Sequence, residues 1–499
     1  MSGIRVSYAG LIAFVSGLAT IVFSLATTII ITRSLSPEEF GTWRLVITLL
    51  VYVVYIQPVI TFWVTREVAR GIESAKTALI SNALFSCIGI VLYIVIIYFL
   101  GDQSGADTDI LLSAFIMIPA LFLYNVLLAV NLGWKPQVVS YGIIVLEASK
   151  VPLLLITVIW FELGVSGVII AMTIAYIPSI LLLLIFSKEK IKSKIKIQYI
   201  KKWIRLSWVP LYPGFGTIVA ALDVLLFTLI TGSVVGLAFY GAAIIIAKLC
   251  DYAILLSNAV YPKLLEGKEI GSIIQKNITL ISFFAIPLAT ITIFYAKPAV
   301  YALNPIYVGA STAIIFMTIR CFLFAYSIPF AKFLEGIEKV DTDEDASFKD
   351  YIKSKLFLVP SIRFIQYSGY VISLAIVLMM AISSSTDEEL ITYWAIVWLC
   401  SEIPFFIYFY ILMKKNFKFK LETKMFIKYV LASIVTIGAS YLLSLEFLEF
   451  NPNIFEFLPN LLLFIGSGIF GYLALAYLID ERTRKIFSAI IYELKSRNT

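Results

Sequence analysis

The stretch KEKIKSKIKIQYIKKWIR, at residues 188–205, carries eight Lys or Arg residues and a single Glu. It separates two long runs of almost uninterrupted apolar sequence. A segment this basic does not cross a bilayer, and the excess of Lys and Arg on cytoplasmic loops places it on the cytoplasmic face. Six apolar segments precede this basic linker and eight follow it, so the predicted side of every other loop follows by counting.

The composition is that of an integral membrane protein. Of the 499 residues, 61% are hydrophobic and only 14% are charged, whereas soluble proteins are about 25% charged. The net charge of +7 lies mostly in loops and does not indicate nucleic-acid binding. The sequence has no His, which excludes His-based triads and the commonest metal ligand. The four Cys are isolated in apolar segments and are predicted to be core residues.

A membrane-spanning helix needs about 20 apolar residues. Fourteen segments meet this criterion, so the prediction is an all-α polytopic protein with fourteen transmembrane helices. They cover residues 8–32, 43–64, 78–100, 110–132, 141–161, 165–187, 206–231, 234–260, 277–296, 307–331, 356–381, 390–413, 427–446 and 457–479. With the basic linker inside, the cytoplasmic segments hold 32 Lys or Arg and the outer loops hold three. This bias predicts that both termini are cytoplasmic and that the protein is multi-pass in the plasma membrane.

A weak internal repeat indicates two halves. At an offset of 197 residues, SPEEFGTW from Ser36 matches SVVGLAFY from Ser233, each at the turn after the first span of its half. The alternative is chance similarity between two helix entries. The predicted organisation is a six-helix lobe (1–187), the basic linker (188–205), a second six-helix lobe (206–413), and two further helices with a cytoplasmic tail (414–499). Repeats of equal orientation imply a pseudo-two-fold axis along the membrane normal.

Three segments give the chain a family resemblance. They are TRSLSPEEFGTW at residues 32–43, ALDVLLFTLITGSVVGLAFYGAA at residues 221–243, and VYPKL at residues 260–264. The chain resembles the polysaccharide-export, O-antigen flippase-like branch of the multidrug/oligosaccharidyl-lipid/polysaccharide exporter superfamily. In one departure, Val224 follows Asp223 where many relatives have a basic residue. The resemblance implies a central cavity between two lobes and alternating access without ATP hydrolysis. It also implies export of a lipid-pyrophosphate-linked glycan from the cytoplasmic to the outer leaflet.

Ionisable residues inside predicted spans mark candidate sites. Each costs about 2.5–3.5 kcal/mol at the helix centre on insertion scales, so each needs a partner or a function. Two pairs are spaced i,i+3 and could neutralise themselves, whereas the other four must meet another helix, face a wet cavity, or do both. The pairs are Glu147 with Lys150 and Lys248 with Asp251, and the others are Asp223, Arg320, Arg363 and Glu402.

Their chemistry fits an anionic headgroup. Arginine binds phosphate oxygens in pairs through its planar fork, so the predicted headgroup-binding cations are Arg320, Arg363, Lys150 and Lys248. The predicted carboxylates for a coupling H⁺ or Na⁺ are Asp223, Asp251, Glu402 and Glu147. Membrane potential acting on the anionic substrate would need no coupling site. No catalytic residue, metal or other cofactor is predicted, and the expected partners are the lipid-linked glycan and membrane lipids. The protein would act as a monomer or beside glycan-assembly enzymes.

Two other functions stay open. A cation-coupled multidrug antiporter of the same fold would carry unpaired acids and aromatics, and the four intramembrane cations argue against it. A membrane glycosyltransferase or polymerase would need sizeable outer loops, and the predicted outer loops are short. The Ile–Lys alternation of the basic linker has two interpretations, a tether between lobes or a segment lying on anionic lipid.

Overall fold

The computed structural model describes residues 3–192, 194–254, 270–336, 338, 348–419, 422–481 and 483–484, and the side chains of 3–16, 18, 102, 348 and 349 lie outside this description. The described residues form helices and no β-strand, which confirms the all-α prediction. The VYPKL segment at 260–264 and the end of the predicted span 234–260 lie outside the described residues.

Twenty α-helices are described. They are α1 (Gly3–Ser34), α2 (Pro37–Val54), α3 (Pro58–Ala69), α4 (Ala75–Leu100), α5 (Thr108–Ser113), α6 (Met117–Trp134), α7 (Pro136–Leu154), α8 (Gly164–Ile191), α9 (Ile197–Arg205), α10 (Trp208–Ala220), α11 (Leu222–Thr231), α12 (Val235–Ala247), α13 (Ile270–Phe294), α14 (Ala296–Leu303), α15 (Ser311–Gly336), α16 (Phe348–Lys353), α17 (Lys355–Ala381), α18 (Asp387–Asn416), α19 (Thr423–Phe447) and α20 (Ile454–Ile479). A π-helical stretch, Leu155–Trp160, continues α7, and 3-10 helices occupy Gly101–Gln103, Ala114–Ile116, Lys248–Ile254 and Pro305–Ala310.

Twelve helical segments in the described residues are long and apolar enough to cross a membrane. They coincide with the twelve predicted spans from 78–100 to the C-terminal end, so the chain is a multi-pass membrane protein. The bent pair α2 and α3, at the predicted span 43–64, makes a thirteenth if it is one span. At the predicted first span, the part of α1 whose side chains are described contains the apolar stretch Ala19–Ser34. Fourteen spans therefore remain a prediction.

The second predicted span is broken rather than straight. Its two helices, α2 and α3, meet at an angle of 60°. Pro58 begins α3 and has no backbone N–H to donate to the preceding turn. The Gln57 side chain fills the break, donating from Nε2 to Asn82 Oδ1 (3.3 Å) and accepting from Asn125 Nδ2 (2.7 Å). Hydropathy does not reveal the break because both helices are apolar.

Two other helices differ from the sequence prediction. α13 begins at Ile270 rather than at 277 and continues through Pro287 without interruption. Neighbouring helices can satisfy the groups that a proline frees, which lets membrane helices retain it. The predicted span 234–260 changes from α-helix to a 3-10 helix at Lys248. Side chains three residues apart eclipse one another in a 3-10 helix, so Lys248 and Asp251 remain neighbours.

The chain divides into two compact units. The first contains residues 1–239 and 378–383, and the second contains residues 240–377 and 384–499. In the second unit the last two helices, α19 and α20, pack on α13 around a core that includes Phe283, Tyr429 and Tyr472. The Tyr472 hydroxyl donates to the Phe283 carbonyl at 2.8 Å. The helices after residue 414 are therefore an integral part of this unit's core.

Two segments that carry the family resemblance meet inside the first unit. Gly41 in α2 lies against the backbone of Val234, at the turn between α11 and α12, so closely that a Cβ at Gly41 would overlap the Val234 carbonyl. Gly232 in the same turn has a φ of +62°, the left-handed conformation that glycine adopts without strain. Glycine at position 41 thus permits backbone contact between distant parts of the chain.

We expect Gly41→Ala to destabilise the protein. The added methyl must displace a backbone carbonyl, and overpacking of this kind typically costs about 1–3 kcal/mol. Gly369→Ala in α17 is the matched control, because its Cβ would meet no atom within 4 Å. Thermal unfolding in detergent should show a lower midpoint for Gly41→Ala and an equal or higher one for Gly369→Ala. Equal midpoints for the two variants would contradict the close approach.

The basic linker is partly helical and packs on the first unit. Trp203 of α9 is buried in a core formed by α3, α4 and α6. Its Nε1 donates to Glu67 Oε1 at 3.3 Å, and Lys202 Nζ lies 3.2 Å from the same oxygen. Glu67 is itself only 3% exposed. A buried carboxylate near the end of α3 therefore holds one face of the linker helix.

Candidate functional site

The candidate site is a buried ionic cluster in the second unit, formed by α15, α17 and α18. Glu402 on α18 is fully buried and lies between two arginines. Its Oε1 is 3.2 Å from Arg363 Nη1, and its Oε2 is 3.6 Å from Arg320 Nη2. Three predicted site residues from three different helices thus meet at one carboxylate. Arg320 and Glu402 were expected to meet another helix, face a wet cavity, or do both, and the structure shows the first of these.

Neutral side chains complete the hydrogen bonding of this carboxylate. Ser327 Oγ donates to Glu402 Oε1 at 2.9 Å, and Gln366 Nε2 donates to Oε2 at 2.8 Å. Gln366 also accepts from Arg363 Nη1 at 2.7 Å. Each Glu402 oxygen therefore has one neutral donor and one arginine. The neutral donors would keep the carboxylate hydrogen-bonded if an arginine moved away.

Aromatic rings enclose the two guanidinium groups. The Arg320 guanidinium carbon lies 4.0 Å from the Phe324 ring centre and 4.1 Å from that of Trp398. The Arg363 guanidinium carbon lies 4.8 Å from the ring centre of Phe409. Arginine over an aromatic face is stabilised by the ring quadrupole, more strongly where water is excluded. These rings hold both cations away from the apolar lipid phase.

At Glu402 two guanidinium groups share one carboxylate, which leaves a local surplus of positive charge. Asp251 interacts electrostatically with Arg320 and Glu335 with Arg363, but neither acid forms a described ion pair with them. Two buried donors, Arg320 Nε and Arg363 Nη2, have no hydrogen-bond partner among the described residues. Unsatisfied buried donors on a cation are costly, so the site has unused capacity for an anion. An oxyanion with several oxygens could accept these donors and compensate for the extra charge.

A second acid lies near the cluster. Asp251, in the 3-10 helix after α12, interacts electrostatically with Arg320 and Lys248 and hydrogen-bonds with Cys321. Its Oδ1 is buried and has no hydrogen-bond partner among the described residues. The second unit therefore brings together five of the eight candidates, namely Arg320, Arg363, Glu402, Asp251 and Lys248.

The other three candidates lie in the first unit. Glu147 and Lys150 form the predicted i,i+3 pair on α7, with Lys150 Nζ 2.6 Å from Glu147 Oε1. Ser24 Oγ donates to the second carboxylate oxygen at 3.1 Å. Asp223 is buried, and its Oδ1 accepts from the Val224 backbone N–H at 2.7 Å. Internal pairing of Glu147 with Lys150 is thereby confirmed.

The neutral members of the cluster were not among the residues predicted from the sequence. Phe324 and Ser327 follow Arg320 by four and seven residues, which puts all three on one helical face, and Gln366 follows Arg363 by three. Polar residues at these spacings from an intramembrane arginine were a usable signal. Trp398 and Phe409 had no such signal, because aromatics are frequent throughout this chain and a ring over a guanidinium depends on how α15, α17 and α18 pack.

A cavity of about 430 Å³ also lies in the second unit, among α13, α15, α18 and α19. Its lining is mainly aromatic and apolar, with one carboxylate at Glu422 that hydrogen-bonds to Gln275. Such a volume is in the range of small-molecule sites. Its aromatic residues are Phe322, Tyr326, Phe330, Phe406, Tyr410, Phe426 and Tyr429. The α15 residues that line the cavity are not the ones that contact Glu402, which are Arg320 and Ser327.

The sequence matches no known family profile and no curated protein. Solved structures do match. The lipid II flippase MurJ in an inward closed conformation has a TM-score of 0.63 at 15% identity, covering 94% of this chain and 98% of that chain. An inward-facing MATE family multidrug resistance transporter of the MOP superfamily has a TM-score of 0.58 at 13% identity, covering 79% and 95%. An outward-facing MATE structure has a TM-score of 0.55 at 13% identity, covering 83% of this chain and 96% of that chain. The chain therefore has the fold that these flippase and MATE structures share.

Proposed function

We propose that this chain moves a lipid-linked oligosaccharide, carried on a phosphate or pyrophosphate, from the cytoplasmic to the outer leaflet of the plasma membrane. It would do so by alternating access between two lobes and without ATP hydrolysis. The observation that carries the proposal is the surplus positive charge where Arg320 and Arg363 share Glu402. The fold shared with a lipid II flippase supports it.

In this proposal Glu402 serves as an internal stand-in for the substrate phosphate. A pyrophosphate carries more charge and more acceptor oxygens than one carboxylate, and charge-assisted hydrogen bonds from arginine to phosphate are strong. Substrate oxygens would take over the donors of Arg320 and Arg363. Ser327 and Gln366 would keep Glu402 hydrogen-bonded after the exchange. When the substrate leaves, Glu402 would return and prevent two bare cations from facing each other.

The energy source has two candidates. An anionic headgroup moving outward is favoured by a membrane potential that is negative inside, worth about 2.3 kcal/mol per charge per 100 mV. Among the predicted coupling carboxylates, Asp251 has a buried oxygen without a described hydrogen-bond partner and would be the group to bind H⁺ or Na⁺. By contrast, both carboxylate oxygens of Glu147 and of Glu402 already have partners, and Asp223 Oδ1 accepts from a backbone N–H.

A cation-coupled antiporter of small drugs is the second candidate function. The aromatic cavity and its Glu422 favour it, because aromatic faces and a carboxylate bind organic cations. The MATE structures of similar fold support this candidate as well. In this alternative the arginine cluster would be purely structural, and the cavity would hold the substrate.

A proteoliposome assay separates the two functions. We expect the wild-type protein to flip a fluorescent lipid-pyrophosphoryl oligosaccharide, read out by its accessibility to a membrane-impermeant quencher, and to leave cationic dyes untransported. Arg363→Met should lower flipping about tenfold, the effect of one lost charge-assisted hydrogen bond of at least about 1.5 kcal/mol. Phe406→Ala changes a cavity-lining residue that makes none of the hydrogen bonds or ion pairs of Glu402, so it is the matched variant and should flip normally.

The opposite pattern would overturn the proposal. Dye transport that falls in Phe406→Ala and persists in Arg363→Met would assign the activity to the aromatic cavity. Flipping that is equal for a pyrophosphate lipid and for a neutral glycolipid would remove the need for an anion site. Repeating the assay with an imposed potential, and then with H⁺ or Na⁺ gradients, identifies the energy source.

A further inference from the structure

We propose that the outward face of α9, together with the lysines just before it, binds the headgroups of anionic phospholipids. The surface consists of Lys194, Ile195, Lys196, Ile197, Lys201 and Ile204, and we call it the linker surface. It shares no residue with the proposed headgroup-binding cluster, and it does not depend on which substrate the protein carries.

The packing of α9 determines which face is available. Trp203 is 1% exposed and Tyr199 packs against the same core, so this face is turned toward the protein. Residues 197, 201 and 204 follow the spacing of the opposite helical face. Ile197 is 65% exposed and Ile204 is 53% exposed, and Lys201 between them is also exposed. The protein itself leaves this face uncovered.

The position of α9 along the chain's helices puts the linker surface at a membrane boundary. α9 is held by Glu67 near the last turn of α3, and the Lys196 backbone N–H donates to Thr77 Oγ1 in the first turns of α4 at 3.0 Å. α4 is one of the long apolar helices that span the membrane. A helix that packs at the ends of membrane-spanning helices lies at the boundary between the hydrocarbon core and the lipid headgroups.

The amino-acid composition of the linker surface indicates which kind of partner it binds. Isoleucines at this depth can insert into the acyl boundary while lysines reach the phosphates, which is the pattern of interfacial amphipathic helices. The basic linker has eight Lys or Arg and one Glu, so its charge complements an anionic surface and not a zwitterionic one. Each lysine near an anionic membrane surface is worth about fivefold in local binding. A linker that served only as a tether in water would gain nothing from exposing three isoleucines.

The test measures which lipids surround the linker surface in the full-length protein. Cys87 and Cys400, the exposed cysteines among the described residues, are first replaced by Ser. A fluorophore is then attached through Ile204→Cys, and the protein is placed in nanodiscs of phosphatidylcholine and phosphatidylglycerol. The quencher bromine is carried either by the phosphatidylglycerol or by the phosphatidylcholine, at the same total composition. The ratio of the two quenching signals reports anionic-lipid enrichment at the label.

We expect brominated phosphatidylglycerol to quench about fivefold more strongly than brominated phosphatidylcholine at equal mole fraction, and the preference to weaken in high salt. Replacing Lys194, Lys196 and Lys201 by Gln should bring the ratio to one. Lys202 stays in place because it pairs with Glu67. A label at Glu449→Cys, an exposed site in the predicted outer loop between α19 and α20, is the control and should show a ratio near one.

Three outcomes would overturn the proposal. Equal quenching by both lipids in the unmodified linker would mean membrane contact without preference for anions. No quenching by either lipid would put the linker surface in water. A preference that survives the three Lys→Gln changes would assign the lipid to other residues. Because quenching needs no transport, these results are independent of the flipping assay.

Discussion

Glu402→Ala should destabilise this protein more than removal of either arginine. The substitution leaves Arg320 and Arg363 buried without their shared carboxylate, and removing one partner of a buried ion pair typically costs about 3–5 kcal/mol. Removing Arg320 alone leaves Glu402 paired with Arg363, so its cost should be smaller. The order of thermal midpoints in detergent should therefore be wild type, then either single arginine variant, then Glu402→Ala.

Glu449→Ala is the matched control for this series. This substitution also removes a glutamate carboxylate, but from an exposed position outside the cluster. Its unfolding midpoint should equal that of the wild type. If Glu402→Ala unfolds at the same temperature as Arg320→Met, the carboxylate is not the centre of the cluster. Such a result would mean that the arginines have other counter-charges, with Asp251 the nearest candidate.

The second large effect is on transport and is measured in a protein that remains folded. The triple variant Arg320→Met, Arg363→Met, Glu402→Gln replaces the whole ionic cluster by neutral side chains. Exchanging a complete buried cluster for neutral groups of similar volume is often neutral for stability. Glutamine is chosen at 402 because its amide oxygen can still accept from Gln366, while its amide NH2 can donate to the Ser327 hydroxyl, which then accepts instead of donating. We expect a midpoint close to the wild type and well above that of Glu402→Ala.

Flipping by this triple variant should fall by at least about 100-fold. Two charge-assisted hydrogen bonds to the substrate phosphate are lost, each worth about 1.5–3 kcal/mol. The proteoliposome assay with the lipid-pyrophosphoryl oligosaccharide gives the measurement. A stable triple variant that flips at the wild-type rate would make the cluster a structural device only. The phosphate site would then have to be sought at Lys150 or elsewhere.

The sequence predicted best what depends on local pattern. Apolar length alone predicted the twelve long helices, because a bilayer demands about 20 apolar residues whatever their neighbours are. The Glu147–Lys150 pair was predictable from its spacing, since one helix turn brings the two side chains together. In each case the structure depends on residues that lie close together in the sequence.

Features that depend on how distant helices pack could not be predicted from the sequence pattern. Arg320 and Glu402 are recognisable as residues in need of a partner, but their meeting requires three helices to pack in one arrangement. The contact of Gly41 with Val234 was equally unpredictable. A glycine in the sequence indicates that the backbone has conformational freedom there, but it does not show which carbonyl will approach it. The break at Gln57 also escapes hydropathy, which averages over both helices. The roles of the candidate residues in binding and coupling remain predictions.

The break in the second span has a consequence for how the chain is made. α2 and α3 are 18 and 12 residues long, so α3 alone is too short for a full membrane crossing. The partners that satisfy Gln57 are synthesised later, Asn82 by 25 residues, Phe122 by 65 and Asn125 by 68. The polar contacts that fill the break can therefore form only after α4 and α6 have been inserted beside it. Biogenesis of this protein thus includes a late step, in which an early helix acquires polar partners encoded downstream.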